Sequence, residues 1–417
     1  MTYATNDQQH RQGSMLLASA IDKARDIMYE AHWVLDSSDP EQEKAAAEQQ
    51  LKNQLVAALD KGFALHDANH PEFRILDQYN QYGLYNPDNR YHIATISTPG
   101  KYVIRGKRGT SADLQIQVGT GEPGFDVNLT SPVTISQLAL ADLVVDDDGY
   151  FEIIISDCEE GDNWLNNTEV RTVGGVEKEL KANSILIRES FMDWQEEVGG
   201  TWYIERQDTR GEPNPVTSPE LINHQYQLTS DYLLGSVRGW IKFVEQLRPN
   251  LRVNRLSEPR ETKDGLPGQW NSAGQFPIDS GKAIIITVEK STAPYQSIQV
   301  GDLWFNALDF CRRQISLNMA QAQPDNEGNY RFVISVEDPG VANWLDPAGA
   351  STSFVFLRWQ SVPADYDMTQ APAPSVEIVD FDKLCDCLPD EPRFCRRQRK
   401  EQLAARQAAS LSSPRGF

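Results

Sequence analysis

A mainly β protein with helical additions is what this sequence predicts, and three observations predict it. From Asn86 onward the chain breaks into short β-rich runs separated by Gly, Pro and Asp clusters, the texture of a sandwich or barrel. Those runs recur: a set of segments in the first half reappears in the same order in the second. Helical periodicity is confined to the start, the middle and the end of the chain.

The 417 residues exceed one ordinary core and suit two or three domains. We divide them into an N-terminal helical region (1–85), a first β-domain (86–212), a helical connector with an extended linker (213–276), a second β-domain (277–362), and a linker with a basic C-terminal helix (363–417). Residues 14–36 place Leu17, Ala20, Ile21, Ala24, Ile27, Met28 and Ala31 at three- and four-residue steps, so a helix is expected. A second helix starts with Asp39 as N-cap, Pro40 at the first helical position and Gln42 as capping-box partner. The two form an antiparallel pair across Ser37 and Ser38. Ser218, followed by Pro219 and Glu220, caps a central helix running towards Leu247. Gly235 and Gly239 on it allow close packing or a kink. Arg248 to Phe276 reads as an extended connection.

The repeat is carried by five matches. Gly100-Lys101-Tyr102-Val103-Ile104 corresponds to Gly281-Lys282-Ala283-Ile284-Ile285, and Ile116-Gln117-Val118-Gly119 to Ile298-Gln299-Val300-Gly301. Gly149 to Ser156 corresponds to Gly328 to Ser335, Asn163-Trp164-Leu165 to Asn343-Trp344-Leu345, and Ile187-Arg188 to Leu357-Arg358. Asp146-Asp147-Asp148-Gly149 and Asp325-Asn326-Glu327-Gly328 have a calcium-loop flavour. Each leads straight into a strand without the spacing of an EF-hand, so both are read as hairpin turns.

Composition excludes some functions. A net charge of -21 argues against nucleic acid or an anionic membrane as main partner. No apolar run approaches the roughly 18 residues of a membrane span. Five cysteines, odd in number and unevenly placed, fit a reducing compartment, and a cytoplasmic protein is expected. From Arg393 on there are seven Lys or Arg against one Glu, so this basic tail either docks onto the acidic body or another subunit, or is a solvated helix end.

Familiar catalytic motifs are missing: no nucleophile elbow, phosphate-binding Gly loop, dinucleotide fingerprint or zincin pattern occurs. His66 and His70 stand at i, i+4, but beside Asn69 and Pro71 they read as a fraying helix end. Cys385, Cys387 and Cys395 lack a fourth ligand at zinc spacing. No metal or cofactor is expected. Candidate chemistry concentrates in the second repeat. Arg358 lies on a strand whose two faces are both apolar, so it needs a carboxylate or a bound anion, with Asp338 and Asp346 nearest in sequence. Arg188 holds the matching place in the first repeat. Arg313, close to Asn318, suits a carboxylate, sulfate or phosphate. Trp164 and Trp344 read either as core plugs or as stacking platforms.

With these residues in view, the chain resembles the bacterial family known as domain of unknown function 1214, most closely over residues 278–362. The resemblance rests on Ser297 to Trp304, on Arg313-Gln314-Ile315-Ser316-Leu317-Asn318, and on Asp338-Pro339-Gly340 with Asn343-Trp344-Leu345-Asp346 and Arg358-Trp359. Asn86 to Tyr91 and Tyr102 to Gly106 are similar to longer members. Pro347-Ala348-Gly349 departs from the expected Thr-Ala-Gly. The resemblance implies a jelly-roll-like β-domain, hence two tandem jelly-roll-like sandwiches here, and it implies no activity.

Three functions are open. The first is an enzyme or accessory protein of small-molecule catabolism that binds an apolar or aromatic compound bearing an anionic group. Arg313 and Arg358 would hold the anion, Trp304 and Trp344 would wall the pocket with Asn343 and Asn318 nearby, and Asp338 or Asp346 would act as general base. The second is a carbohydrate-binding module built on Trp344. The third is a structural protein that forms homo-oligomers through its helices.

Overall fold

The computed structural model describes residues 2–81, 83–121, 133–173, 175–262, 268–362, 368, 373–388 and 391–411, with the side chains of 2–10 and 173 outside the description. Of the proline-marked linker expected after Val362, residues 363–367, 369–372 and 389–390 lie outside these residues, and 375–380 form a strand instead.

Helices α1 (Thr2–Tyr29), α2 (His32–Leu35) and α3 (Pro40–Leu59) open the chain, so the expected first helix is interrupted at Glu30 and Ala31. Asp39 caps α3 by accepting from the Gln42 backbone N–H at 3.2 Å. After Leu59 the helix widens into a π-helical turn, Asp60–Ala64. The first β-region follows as β1 (Arg74–Leu76), β2 (Asn89–Thr95), β3 (Tyr102–Lys107), β4 (Asp113–Thr120), β5 (Val133–Ala139), β6 (Tyr150–Ser156), β7 (Trp164–Asn166), β8 (Thr168–Val173), β9 (Val176–Lys181), β10 (Ser184–Ser190) and β11 (Thr201–Arg206). Helix α4 (Pro219–Leu247) is capped as expected, Ser218 Oγ accepting from the Leu221 N–H at 3.2 Å. A Cβ at Gly239 would meet open space, so that glycine serves no close packing.

The second β-region comprises β12 (Arg260–Glu261), β13 (Trp270–Pro277), β14 (Lys282–Glu289), β15 (Tyr295–Gly301), β16 (Ser316–Asn318), β17 (Asn329–Ile334), β18 (Trp344–Leu345), β19 (Thr352–Gln360) and β20 (Ser375–Asp380). Two strands, β12 and β13, occupy part of the extended connection expected between Arg248 and Phe276. Their signal is weak because β13 buries Asn271, Ser272 and Ala273 rather than alternating large apolar residues. The chain ends with α5 (Leu384–Cys387) and α6 (Arg396–Leu411).

The two regions share one wiring diagram. A five-stranded sheet ordered β1-β2-β10-β4-β5 corresponds to one ordered β12-β13-β19-β15-β16. A four-stranded sheet ordered β11-β3-β6-β7 corresponds to β20-β14-β17-β18. Each pair of sheets encloses an apolar core: Ile104, Ile116, Ile153, Ile155 and Ile187 in the first, Ile286, Ile298, Phe332, Ile334 and Leu357 in the second. A third core joins α1, α3 and α4, where Ala20, Ala24, Met28 and Leu51 meet Tyr232, Leu233 and Val237.

Because strand side chains alternate, the five-stranded sheets turn a second set of residues away from their own cores. Much of that set is polar, and the two sheets meet through its polar members. Ser190 of β10 donates to Gln360 of β19 at 3.3 Å, and Ser361 to Asp113 at 3.1 Å. The Tyr295 hydroxyl donates to Asp88 at 2.6 Å while accepting from the Asn86 amide at 2.9 Å. Among the described residues, no helix is long and apolar enough to cross a membrane.

Candidate functional site

Both Asn-Trp-Leu triplets are structural, and they do the same job. In each copy the triplet opens a short parallel strand, Trp164 beside Ile154 and Trp344 beside Val333. The preceding Asn clamps a single backbone residue. Asn343 accepts from the Gln323 N–H at 2.9 Å and donates to its carbonyl at 2.7 Å. Asn163 holds Val144 in the same way, at 2.8 Å both ways, and its amide also donates to the Glu152 carbonyl at 3.0 Å. The Trp344 indole donates to the Ser335 carbonyl at 3.1 Å, and Trp164 to the matching Ser156 hydroxyl at 3.1 Å. Preceding turns are hairpins: Gly149 and Gly328 take φ values of 83° and 88°, which only glycine adopts cheaply.

The second copy's additions hold the C-terminal helix. Asp338 accepts from Arg399 of α6 at 2.9 and 3.1 Å, and the same guanidinium lies 5.1 Å from the Trp344 ring. The basic tail therefore docks onto the acidic body. Arg313 and Asp346, expected to share a ligand site, instead satisfy each other at 2.8 Å on the surface. Asn318 is buried and spent: its amide donates to Asp88 at 2.9 Å, and its carbonyl accepts from Ala320 and Gln321. Trp304 departs most from expectation. It plugs the helical core against Trp33 and donates to Glu43 at 2.8 Å, so it shares no pocket with Trp344, which belongs to a different apolar cluster. His70 pairs with Asp67 at 2.8 Å, and His66 with the Phe63 carbonyl at 3.1 Å. Among the described residues no three His, Cys, Asp or Glu side chains gather as a metal site.

Arg358 differs from all of these. It is 5 % exposed, and among the described residues no carboxylate lies in hydrogen-bond range of it, neither Asp338 nor Asp346. One guanidinium nitrogen donates to Gln299 at 2.6 Å, another to the Leu84 carbonyl at 3.3 Å. The group lies 4.6 Å from the Phe356 ring centroid. Burial pushes its pKa below the usual arginine value, partly countered by Tyr295, Tyr91 and Asp88. Asp88 is itself occupied by Tyr295, Trp194 and Asn318. The first repeat has the same arrangement: Arg188 donates to Gln117 and lies 6.0 Å from the Tyr91 ring, its pKa likewise lowered by burial. Tyr91 thus neighbours both guanidinium groups across the interface.

Phe356 continues into an aromatic cluster. It stacks on Phe354 at 5.6 Å, and Phe305 touches Phe354, Phe243 and Trp240 at 5.4, 4.8 and 6.0 Å. Phe243 is 38 % exposed, so the cluster reaches solvent. Phe305 has φ 64°, a left-handed conformation that costs a non-glycine residue about 1–2 kcal/mol. Asp302 holds it there, its carboxylate accepting from the Trp304 and Asn306 N–H groups at 2.9 Å each and from the Asn306 amide at 2.8 Å.

Burial raises the Asp302 carboxyl to about 6, against those hydrogen bonds and the nearby Arg248. A raised acid pKa means that the folded state holds a proton the unfolded chain has released. Stability from this group is therefore greatest below the unfolded value and falls as pH rises towards 6. Asp302→Asn is expected to abolish that loss. The variant should gain roughly 2–3 kcal/mol relative to the parent between pH 4 and pH 7. Urea denaturation of both proteins at the two pH values measures it; a constant difference would refute the assignment.

Of the expected site residues, Arg358 alone sits beside an aromatic surface with an unsatisfied charge. Gln299 and Gln117 were missed although both lie in the aligned Ile-Gln-Val-Gly segments; their pairing with the aligned arginines was the available signal. Phe305, Trp240 and Phe243 carry no sequence signal linking them.

No known family profile matches the chain, and no curated protein matches it. Solved structures do. An uncharacterized protein from Burkholderia cenocepacia superposes with a TM-score of 0.75 at 22% identity, covering 90% of this chain and 99% of that one, so the two share a fold. A Vibrio parahaemolyticus protein aligns at 12% identity over 80% of this chain and 98% of its own, with a TM-score of 0.43.

Proposed function

We propose that this protein binds a small organic anion with an aromatic or apolar body, in an accessory or catalytic role in small-molecule catabolism. The anion would meet Arg358, with Arg188 opposite, and the body would lie against Phe356, Phe305 and Trp240. One observation carries the reading. Two guanidinium groups at equivalent positions of the repeat are each held by a glutamine amide, with no carboxylate paired to either among the described residues. Arginine offers five N–H donors in a fork matched to planar anions, and Arg358 spends two on its glutamine and carbonyl partners. Asp338 and Asp346 are salt-bridged elsewhere, so no general base is assigned. Carbohydrate stacking on Trp344 loses support, because that ring is 7 % exposed and faces Arg399.

The same reading takes the two sheet pairs as tandem jelly-roll-like domains, in keeping with the resemblance to the domain of unknown function 1214, and the protein as cytoplasmic with its free cysteines reduced.

Calorimetric titration with aromatic carboxylates, and with the matching neutral amides, tests the proposal. The acids should bind at least about tenfold tighter than the amides, since charge-assisted pairs are roughly twice as strong as neutral ones. Arg358→Met should lose that preference while remaining folded, because replacing a buried cation by an isosteric apolar residue is commonly neutral or stabilising. A parent protein that binds none of the acids, with a Met variant more stable than it, would leave Arg358 a packing residue and end the proposal.

A further inference from the structure

A separate cleft of about 120 Å³ shares none of the residues of the Arg358 site. Its floor is Leu76, Tyr85, Phe310 and Cys311, each at least nine-tenths buried, and its mouth is Tyr79 and Leu411, each 50 % exposed. The Tyr85 and Phe310 rings lie parallel, 5.3 Å apart with an interplanar angle of 1°. The Tyr85 hydroxyl is engaged by the Leu76 and Asn89 carbonyls at 3.1 and 2.8 Å, so that residue offers the cleft an apolar surface.

One wall comes from the end of α6. Ser410 lines the cleft, is 3 % exposed, and its hydroxyl has no hydrogen-bond partner among the described residues. A helical serine ordinarily returns its hydroxyl to the carbonyl one turn earlier, and buried hydroxyls are nearly always paired. This wall is firmly placed. Arg406, one turn before Ser410, donates to the Phe310 carbonyl at 2.6 Å and to Ser316 Oγ at 2.8 Å, and lies 4.5 Å from the Trp194 ring.

We propose that the cleft is a second binding site, for a single-ring hydroxylated aromatic of the phenol class. The ring would lie among Leu76, Tyr85, Phe310 and Cys311, and its hydroxyl would complete the missing hydrogen bond of Ser410. The size fits one ring: a dry engineered cavity of roughly 150 Å³ takes benzene, and this one is slightly smaller but open at one side. A fused bicyclic is too large.

Titration of the full chain with phenol and with toluene, followed by ligand-observed NMR, tests this. Phenol should bind roughly fivefold tighter than toluene, the value of one neutral hydrogen bond. Ser410→Ala should close that gap, and Ser410→Leu, which fills the cleft, should abolish both. Arg358→Met should leave phenol affinity unchanged, so failure of the anion site and of this one are told apart. Equal affinities in the parent, no binding of either, or a folded Ser410→Leu variant that still takes phenol would overturn the proposal. If Ser410→Leu fails to fold, the closing of the gap in Ser410→Ala decides alone.

Discussion

Asn343→Ala is expected to destabilise the second sandwich by about 2 kcal/mol, although the side chain touches no ligand-binding residue. The amide satisfies both backbone groups of Gln323, and it is 1 % exposed. Removing it strands a donor and an acceptor where water enters poorly, and each such group costs on the order of 1–3 kcal/mol. Gln323 is half-buried, which places the sum near the lower end. Asn163→Ala should cost less, about 1 kcal/mol, because its partners Val144 and Glu152 are both exposed and water replaces the lost bonds. Asn343→Asp separates the two bonds. Its carboxylate still accepts from the Gln323 N–H but opposes the Gln323 carbonyl, so the variant should be weaker at pH 7 than near pH 4, where the protonated acid donates. Denaturation midpoints of the three variants check the series; equal losses at both positions would mean that the clamp does not matter.

Arg399→Ala should undock α6 while leaving the sheets folded. The guanidinium is 6 % exposed, bonded twice to Asp338, and sandwiched near Trp344 and Phe394 at 5.1 and 5.2 Å. Truncating one member of a buried pair costs about 3–5 kcal/mol, but Asp338 is 32 % exposed and can rehydrate, so about 2–3 kcal/mol is expected. Hydrogen exchange is the natural readout. Protection in α6 should fall roughly 30- to 100-fold while β19 keeps its own, since 1.4 kcal/mol is a factor of ten. Arg399→Lys should be intermediate, keeping the charge without the paired N–H geometry. Loss spread evenly over α6 and β19 would show that the helix is part of one cooperative unit. Because α6 supplies Ser410, undocking should also weaken phenol binding, with no effect required at Arg358.

The features that were legible in the sequence are those decided within a few residues. Asp39 and Ser218 cap helices because an N-cap oxygen reaches an N–H three positions on. Asp146 and Asp325 make hairpins because an Asx side chain bonds its own following backbone, as both do to the residue four ahead at 2.8 Å. The order of the repeated segments was legible too, and the corresponding strand orders follow it. The strands that escaped include β12 and β13; β13 carries Asn271, Ser272 and Ala273 in succession, all buried, so the alternation of large apolar residues fails there.

The candidate site was legible only as a need. Two apolar faces around Arg358 said that the charge required a partner, but not which one. Distance along the chain favoured Asp338 and Asp346, and the fold spent them on Arg399 and Arg313. Trp304 went to the helical core because Glu43, 261 residues earlier, offers its indole an acceptor.

By itself, then, the sequence determined the helices with their caps, the hairpin turns and the repeat. All of these rest on local hydrogen bonding or on alternation along one strand. Tertiary structure decided the ion pairs, the Arg358–Gln299 contact across 59 residues, the ring cluster around Phe305 and the cleft beneath α6. Those depend on which segments packing brings within a few ångströms, and through-space Coulomb and dispersion terms ignore distance along the chain.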